Sequence, residues 1–311
     1  MSRLTVTVAD PAVLAALTRV PVPDARIVRW DLTGRLEVSP DEVDVVVVPI
    51  TDVGPEEFGR LGRLARLRVV QLSSAGYEHA LPHVPPGVIL CNARGVHDAG
   101  TAELALALTL AAQRGIDEAV RAMAEGRWEP RERSSLADRR VMVLGYGSVG
   151  AAIGRRLEAF EADVVRVSSA PRESAEGPVH GVGEMMALLP TAEIVISALP
   201  LTDATAGLID AAALAAMPDG ALLVNVGRGR VVHTEALVAE LDSGRLRAAL
   251  DVTDPEPLPA DHPLWRAPNT IITPHVGGYT NAMAPRMAAL VRRQIGALLA
   301  GREPLNVVAR P

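Results

Sequence analysis

Short apolar runs, many of them β-branched, alternate along the chain with stretches whose apolar positions recur at helical spacing. Residues 43–48 (Val-Asp-Val-Val-Val-Val) form a run of the kind found in strands covered on both faces, as in a parallel sheet sandwiched by helices. Similar runs occupy 4–8, 69–72, 88–91, 141–144, 163–167, 194–198, 221–226, 248–250 and 270–273. Between them, 56–65, 151–160 and 235–243 carry the i, i+3, i+4 pattern of helices packed on one face. Alternation of this kind predicts an α/β fold built from doubly wound, mostly parallel sheets.

The stretch 99–125 departs from that rhythm. It is rich in alanine and leucine, has no proline, and predicts one long helix able to cross between two domains. The polar segment 126–135 follows and leads into a new strand at Arg139. A further helix over about 282–299 would carry the chain back, so that the boundary is crossed twice. A length of 311 residues suits two domains.

One loop stands out chemically. The strand pattern 141–144 runs straight into Gly145-Tyr146-Gly147-Ser148-Val149-Gly150, and a helix pattern follows. In a strand-loop-helix setting the first glycine allows the tight turn, the second admits a pyrophosphate to the backbone, and the third lets helix and strand pack closely. The anion then sits on the unpaired N–H groups of the helix N-terminus. This assigns 99–282 to a dinucleotide-binding domain, and 1–98 with 283–311 to a discontinuous substrate (catalytic) domain. The expected architecture is two Rossmann-like doubly wound domains with a cleft between them.

The end of the next strand refines the cofactor. It reads Ser168-Ser169-Ala170-Pro171-Arg172, with no carboxylate at the position that would hold the adenosine ribose hydroxyls. Hydroxyls and a guanidinium there welcome a 2′-phosphate, so NADP is favoured over NAD, with Glu173 close enough in sequence to argue the other way.

Composition narrows the remaining classes. The formal net charge of -6 speaks against a nucleic-acid partner. The chain has no lysine, which excludes a Walker P-loop and Schiff-base chemistry on a side-chain amine. A single cysteine, Cys91, excludes an intrachain disulfide and reads as a small buried hydrophobe in a reducing cytoplasm. No apolar run is long enough for a membrane helix, and the first residues lack the apolar core of a signal peptide. His, Cys and carboxylates show no metal-ligand spacing, so no metal is expected. His83, His180, His233 and His262 read as loop or surface histidines, with His233 placed to start the helix that follows it.

Three downstream segments put ionisable residues just beyond strand patterns: Asn225-Val226-Gly227-Arg228-Gly229, Asp251-Val252-Thr253-Asp254-Pro255-Glu256, and Thr273-Pro274-His275-Val276-Gly277-Gly278. In open α/β sheets ligands bind beyond the carboxyl ends of the strands. Together with Ser74-Ala75-Gly76-Tyr77, Asn92-Ala93-Arg94-Gly95-Val96, Thr101-Ala102-Glu103 and Leu199-Pro200-Leu201-Thr202, these segments resemble the D-isomer-specific 2-hydroxyacid dehydrogenase family over nearly the whole chain. That family includes glyoxylate/hydroxypyruvate reductases and phosphoglycerate dehydrogenases.

The resemblance implies an NAD(P)-dependent enzyme that moves a hydride between nicotinamide C4 and substrate C2. It casts Arg228 as the holder of the substrate's carboxylate and carbonyl, a role suited to a planar fork of donors. His275 becomes the general acid and base, and Glu256 the partner that fixes its tautomer. By the same resemblance the amides of Ala75 and Gly76 bind the substrate carboxylate, Asp251 binds the nicotinamide carboxamide, and Thr101, Leu199, Pro200 and Val226 flank the cofactor. Tyr77, Arg94 and His97 are candidate substrate contacts by position. A homodimer is implied, with 99–135 at its interface. Two rival readings stand beside this one: a dinucleotide-sensing, corepressor-like binding protein without turnover, and a phosphite or formate dehydrogenase. Glu256 weighs against formate, whose enzymes usually carry glutamine there.

Overall fold

The computed structural model describes residues 3–50 and 53–311, and the chain falls into two compact units, Met1–His97 with Thr280–Pro311, and Asp98–Tyr279. The first opens with β1 (Leu4–Val8), α1 (Pro11–Arg19), β2 (Ala25–Arg29) and β3 (Val45–Val47). It continues through α2 (Pro55–Gly59), β4 (Val69–Gln71) and β5 (Ile89–Cys91). The second runs through α3 (Asp98–Arg114), α4 (Ile116–Ala124), β6 (Arg140–Leu144), α5 (Ser148–Ala159), β7 (Asp163–Ser168), β8 (Arg172–Ser174) and β9 (Gly177–Gly181). It then adds α6 (Met185–Leu188), β10 (Ile194–Ser197), α7 (Ala211–Ala216), β11 (Leu222–Asn225), α8 (Thr234–Asp242), β12 (Arg247–Leu250) and β13 (Thr270–Ile272). The chain returns to the first unit with α9 (Met283–Leu299) and β14 (Val307–Ala309).

In the first unit the hydrogen-bonded order is β14-β5-β4-β3-β1-β2, parallel except for β14 against β5. Every residue of β1 and β3 is buried, as their Val-rich sequences require of strands covered on both faces. One face carries α1 and α9, whose Val13, Leu17, Met287, Leu290 and Val291 share a core with Val6 and Val45. The Arg292 guanidinium fastens α9 to α1 by donating to the Ala16 carbonyl at 2.8 Å. The other face is covered by a second core that includes Phe58, Leu61 and Leu72.

In the second unit the order is β13-β12-β11-β10-β6-β7-β9-β8, parallel except for β8 against β9. From β6 the chain winds outward one way through β7 and β9. It then returns to lay β10 on the other side of β6 and winds outward through β11, β12 and β13. The reversal between β6 and β10 is the switch point at which such sheets open a ligand crevice.

Three sequence-based expectations need correction. The helix over 99–125 is two helices, because Gly115 stands between α3 and α4 with φ of 62°, a left-handed conformation that ends a helix. The helix over 56–65 shrinks to the five residues of α2 followed by a 3-10 turn, Arg60–Arg63, in a stretch weakened by Gly59 and Gly62. His83 is not free in solvent; its ring stacks on Phe58 with centroids 5.8 Å apart. His233 caps α8, accepting from the Ala236 amide at 3.3 Å.

Candidate active site

The glycine loop follows β6 at the switch point. Gly145 has φ of 92°, and a Cβ there would stand 2.8 Å from the Ala198 carbonyl, which follows β10. A Cβ on Gly150 would run into the Gly145 carbonyl. These two glycines are therefore demanded by the fold itself. Gly147 is different, because a Cβ there meets nothing within 4 Å. The space beside its backbone is open, directly before the N-terminus of α5, whose first amides lack helical acceptors. No packing contact requires glycine at 147, and the free amides at the start of α5 suit a dinucleotide pyrophosphate. Val149 packs partly into the core beneath. Ser148 donates its hydroxyl to Asp98 Oδ1 at 3.2 Å, a neighbour that the sequence pattern does not flag.

Tyr146 offers the loop only its backbone. Its ring is buried against Gly154, and the Arg166 guanidinium lies over it, 5.7 Å from the centroid, while donating to its hydroxyl at 3.2 Å. The Tyr146 carbonyl accepts from Arg172 Nη2 at 2.7 Å, and Arg172 Nη1 donates to Ser168 Oγ at 2.9 Å. Arg172, exposed at the start of β8, thus bridges the end of β7 to the glycine loop. Ser169 is exposed beside it. Glu173 lies within β8 opposite Pro178 of β9, so the residues after β7 form an edge hairpin. Leu199 is buried and Pro200 exposed just after β10, and Val226 is buried after β11. Thr101 is buried on the first turn of α3, where its methyl would lie 3.5 Å from a Cβ on Gly277.

The ends of β11, β12 and β13 lie side by side and carry the three candidate catalytic residues. Arg228 has extended backbone (φ -140°, ψ 140°); its carbonyl accepts from Asn225 Nδ2 at 3.0 Å and its Nη1 donates to the Gly227 carbonyl at 2.8 Å. The structure brings His275 and Glu256 together: Nδ1 is 2.5 Å from Oε1. An ionised carboxylate can only accept, so the proton sits on Nδ1 and Nε2 is the nitrogen left to exchange a proton with a ligand. Both side chains are about half exposed, as a site that must admit substrate requires.

His275 itself has φ of 53°, a left-handed conformation that costs a non-glycine residue about 1–2 kcal/mol. Asp251 surrounds it with acceptors. Its carbonyl accepts the His275 amide at 2.8 Å. Its carboxylate, only 2 % exposed, accepts Thr273 Oγ1 at 2.6 Å and the Val276 amide at 2.9 Å on Oδ1, and the Gly277 amide at 2.8 Å on Oδ2.

The remaining candidates belong to the first unit. After β4, the Ala75 carbonyl accepts from Asn92 Nδ2 at 2.7 Å and the Gly76 carbonyl from Ser74 Oγ at 2.7 Å. Tyr77 is half-buried and its amide donates to Glu78 Oε2 at 2.9 Å. Arg94 is exposed. His97 is buried, and its Nε2 lies 2.6 Å from the Ser73 carbonyl, which ties the segment before α3 to the turn at 73–77.

A doubly wound sheet with a ligand-shaped glycine loop at its switch point and a paired histidine and glutamate beyond its strands defines a nicotinamide-dependent oxidoreductase. The comparisons agree. Residues 106–277 match the family model described as the D-isomer specific 2-hydroxyacid dehydrogenase, NAD binding domain. The chain is 32 % identical over 253 residues to glyoxylate reductase of Thermofilum pendens, covering 78 % of this chain and 75 % of that one. It is 33 % identical over 252 residues to human glyoxylate reductase/hydroxypyruvate reductase, covering 78 % and 76 %. Among solved structures, a D-isomer specific 2-hydroxyacid dehydrogenase from Xanthobacter autotrophicus Py2 in complex with NADPH and MES superposes with a TM-score of 0.84 at 32 % identity, covering 100 % of this chain and 99 % of the other. The NADPH-dependent glyoxylate/hydroxypyruvate reductase of Sinorhizobium meliloti, in complex with NADP and sulfate, gives a TM-score of 0.83 at 25 % identity, covering 100 % and 99 %. The chain belongs to the D-isomer specific 2-hydroxyacid dehydrogenase family. It is an NAD(P)-dependent oxidoreductase that acts on the CH–OH group of 2-hydroxy acids.

Proposed function

We propose that this enzyme works as a reductase of small 2-oxo acids, glyoxylate and hydroxypyruvate first among them, with NADPH as its preferred cofactor. The observation that carries the reading is the 2.5 Å contact between His275 Nδ1 and Glu256 Oε1, beside a strand end that presents Arg228. Bound nicotinamide supplies or accepts the hydride. Arg228 holds the substrate's carboxylate and carbonyl through its planar fork. In reduction the doubly protonated His275 ring gives its Nε2 proton to the carbonyl oxygen and is left as the neutral Nδ1–H tautomer; in oxidation that neutral ring takes the proton back on Nε2, with Glu256 accepting from Nδ1–H throughout. Ala75 and Gly76 offer amides to the substrate carboxylate, and Tyr77, Arg94 and His97 are assigned to its surroundings.

The preference for NADPH rests on Ser168, Ser169 and Arg172 at the end of β7, with Arg172 already anchored to the glycine loop. The Thermofilum, human and Sinorhizobium glyoxylate or hydroxypyruvate reductases support the substrate, and the NADPH and NADP complexes of the Xanthobacter and Sinorhizobium proteins support the cofactor.

The reading includes a homodimer. Ile116, Val120 and Met123 stand exposed on α4 at helical spacing, and Trp128 after it is 94 % exposed; a second copy would cover this apolar surface. It also includes a cytoplasmic setting, which suits a chain with one cysteine that is buried and unpaired.

The test is a steady-state panel of glyoxylate, hydroxypyruvate, pyruvate and phenylpyruvate against NADPH and NADH, with light scattering for the oligomer. The expected result is turnover of the smaller acids with NADPH favoured in kcat/KM. Tight cofactor binding without turnover of any 2-oxo acid would overturn the reading in favour of a sensor, and oxidation of phosphite would overturn it in favour of the phosphite enzyme.

A further inference from the structure

The resemblance gives Asp251 to the nicotinamide carboxamide, yet the carboxylate faces inward on its own chain. An ionised carboxylate offers about four acceptor sites. Three are filled by Thr273 Oγ1, the Val276 amide and the Gly277 amide, all from the turn that carries His275. A Cβ on Gly277 would stand 2.9 Å from Oδ2, so the backbone of this turn is drawn against the carboxylate as closely as only glycine permits. The Asp251 carbonyl adds the bond to the His275 amide. Residues 273, 275, 276 and 277 are thus gripped by one residue at the end of β12, and His275, in the left-handed conformation, stands at the middle of the grip.

We infer that Asp251 is the positioning residue of the catalytic histidine: it holds residues 273–277 in the one backbone path that aims His275 Nδ1 at Glu256. Val276 and Gly277 lie beyond a residue whose conformation the chain resists, so their amides would swing away without an acceptor. That movement would carry the imidazole off Glu256 Oε1, because the ring's direction follows the Cα–Cβ bond of a residue with an unusual φ. Carboxylate chemistry is needed here because both oxygens must accept, and an asparagine would set an N–H donor against the amide or hydroxyl on one side. This inference rests on the reading of His275 as the acid-base group.

The experiment compares Asp251→Asn, Thr273→Val and His275→Ala in the full chain. Cofactor dissociation constants, kcat at saturation, and the downfield proton NMR resonance of the His275 Nδ1–H are measured for each. For Asp251→Asn the expected outcome is loss of that resonance and a fall in kcat at saturation of about 10–100-fold, the effect of leaving one buried donor unsatisfied. Thr273→Val keeps the carboxylate and removes one bond, so it is expected to broaden or shift the resonance and lower kcat by about 3–10-fold, with unchanged cofactor affinity. This variant keeps the test open if Asp251→Asn does not fold. The inference is overturned if either variant keeps the resonance and full kcat, or if Asp251→Asn weakens cofactor binding more than tenfold with kcat at saturation intact. His275→Ala separates the two levels: full activity in that variant sinks the assignment of His275, whereas an inactive His275→Ala beside a fully active Asp251→Asn sinks only the positioning role.

Discussion

The Thr253 carbonyl occupies the place where a side chain at Gly229 would begin. The residues after β11 and after β12 are interlocked at backbone level, and the lock lies one residue from Arg228 and three from Glu256. A methyl group at 229 cannot be accommodated by rotating a side chain, since the obstacle is main chain. Gly229→Ala is expected to lose about 1–3 kcal/mol of stability in urea unfolding, the usual effect of overpacking, and to lose most of its kcat in the same preparation. Wild-type kinetics from a Gly229→Ala protein would show that Arg228 and Glu256 do not depend on this contact.

The glycine loop allows a sharper separation. Gly150 is blocked by the Gly145 carbonyl, whereas a Cβ on Gly147 has open space around it. Gly150→Ala should therefore lower the melting temperature before any ligand is considered. Gly147→Ala should melt as wild type does and yet bind NADPH more weakly, by about tenfold or more, because the new methyl stands where the pyrophosphate approaches. Isothermal titration and a thermal melt on each variant check both halves. Equal NADPH affinity in Gly147→Ala and wild type would remove the pyrophosphate from that position.

How far the sequence could be read follows from the range of each signal. β3, β6, β10 and β11 announce themselves because strands buried on both faces must be continuously apolar. β2 (Ala-Arg-Ile-Val-Arg) is an edge strand with exposed arginines, and β8 and β9 form a polar edge hairpin, so none of the three carries that mark. The break at Gly115 is hidden because a lone glycine in an alanine-rich stretch costs a helix only about 1 kcal/mol, and packing decides. The glycine loop and the segments that carry Arg228, Glu256 and His275 are legible because each is local to one strand end. The grip of Asp251 on Val276 and Gly277 is not, since it joins residues 25 and 26 positions apart through the adjacency of β12 and β13. The same holds for the bond from Arg172 to the Tyr146 carbonyl, which needs the sheet to bring β7 beside β6.

Cys91 gives a probe of the first unit. It is 0 % exposed at the end of β5, and burial pushes its thiol up to about 11. At pH 8 the native thiolate fraction is then about 0.1 %, against roughly a quarter for a free cysteine. The native protein is expected to resist a disulfide-exchange reagent and to react with one equivalent on unfolding. The sign of the linkage follows. The unfolded thiol ionises first as pH rises, so the unfolded state binds fewer protons above about pH 8.5, and the contribution to stability is full below that value and lost between about pH 8.5 and 11. Fast native-state labelling at pH 8 would contradict the buried placement.

Arg172 touches both the glycine loop and Ser168, so its replacement tests the adenosine end alone. Arg172→Ala is expected to reduce kcat/KM for NADPH by about 10–100-fold, the value of one charge-assisted hydrogen bond to a phosphate, and to leave kcat/KM for NADH within about threefold. An equal loss with both cofactors would show that Arg172 serves the loop's shape and not the 2′-phosphate.

The catalytic assignment is the most exposed of the predictions, because each residue has its own kinetic signature. His275→Ala removes the proton donor and should lower kcat by about 10²–10⁴-fold while the cofactor still binds. Arg228→Lys keeps the charge and removes the planar fork, so it should raise the KM for the 2-oxo acid and lower kcat together, with NADPH binding unaffected. Glu256→Gln keeps an acceptor for Nδ1–H and loses the charge, so it should fall between wild type and His275→Ala in kcat. If Arg228→Lys and His275→Ala both turn over glyoxylate at wild-type rates, the 2.5 Å pair of His275 and Glu256 is a structural contact and the proton comes from elsewhere.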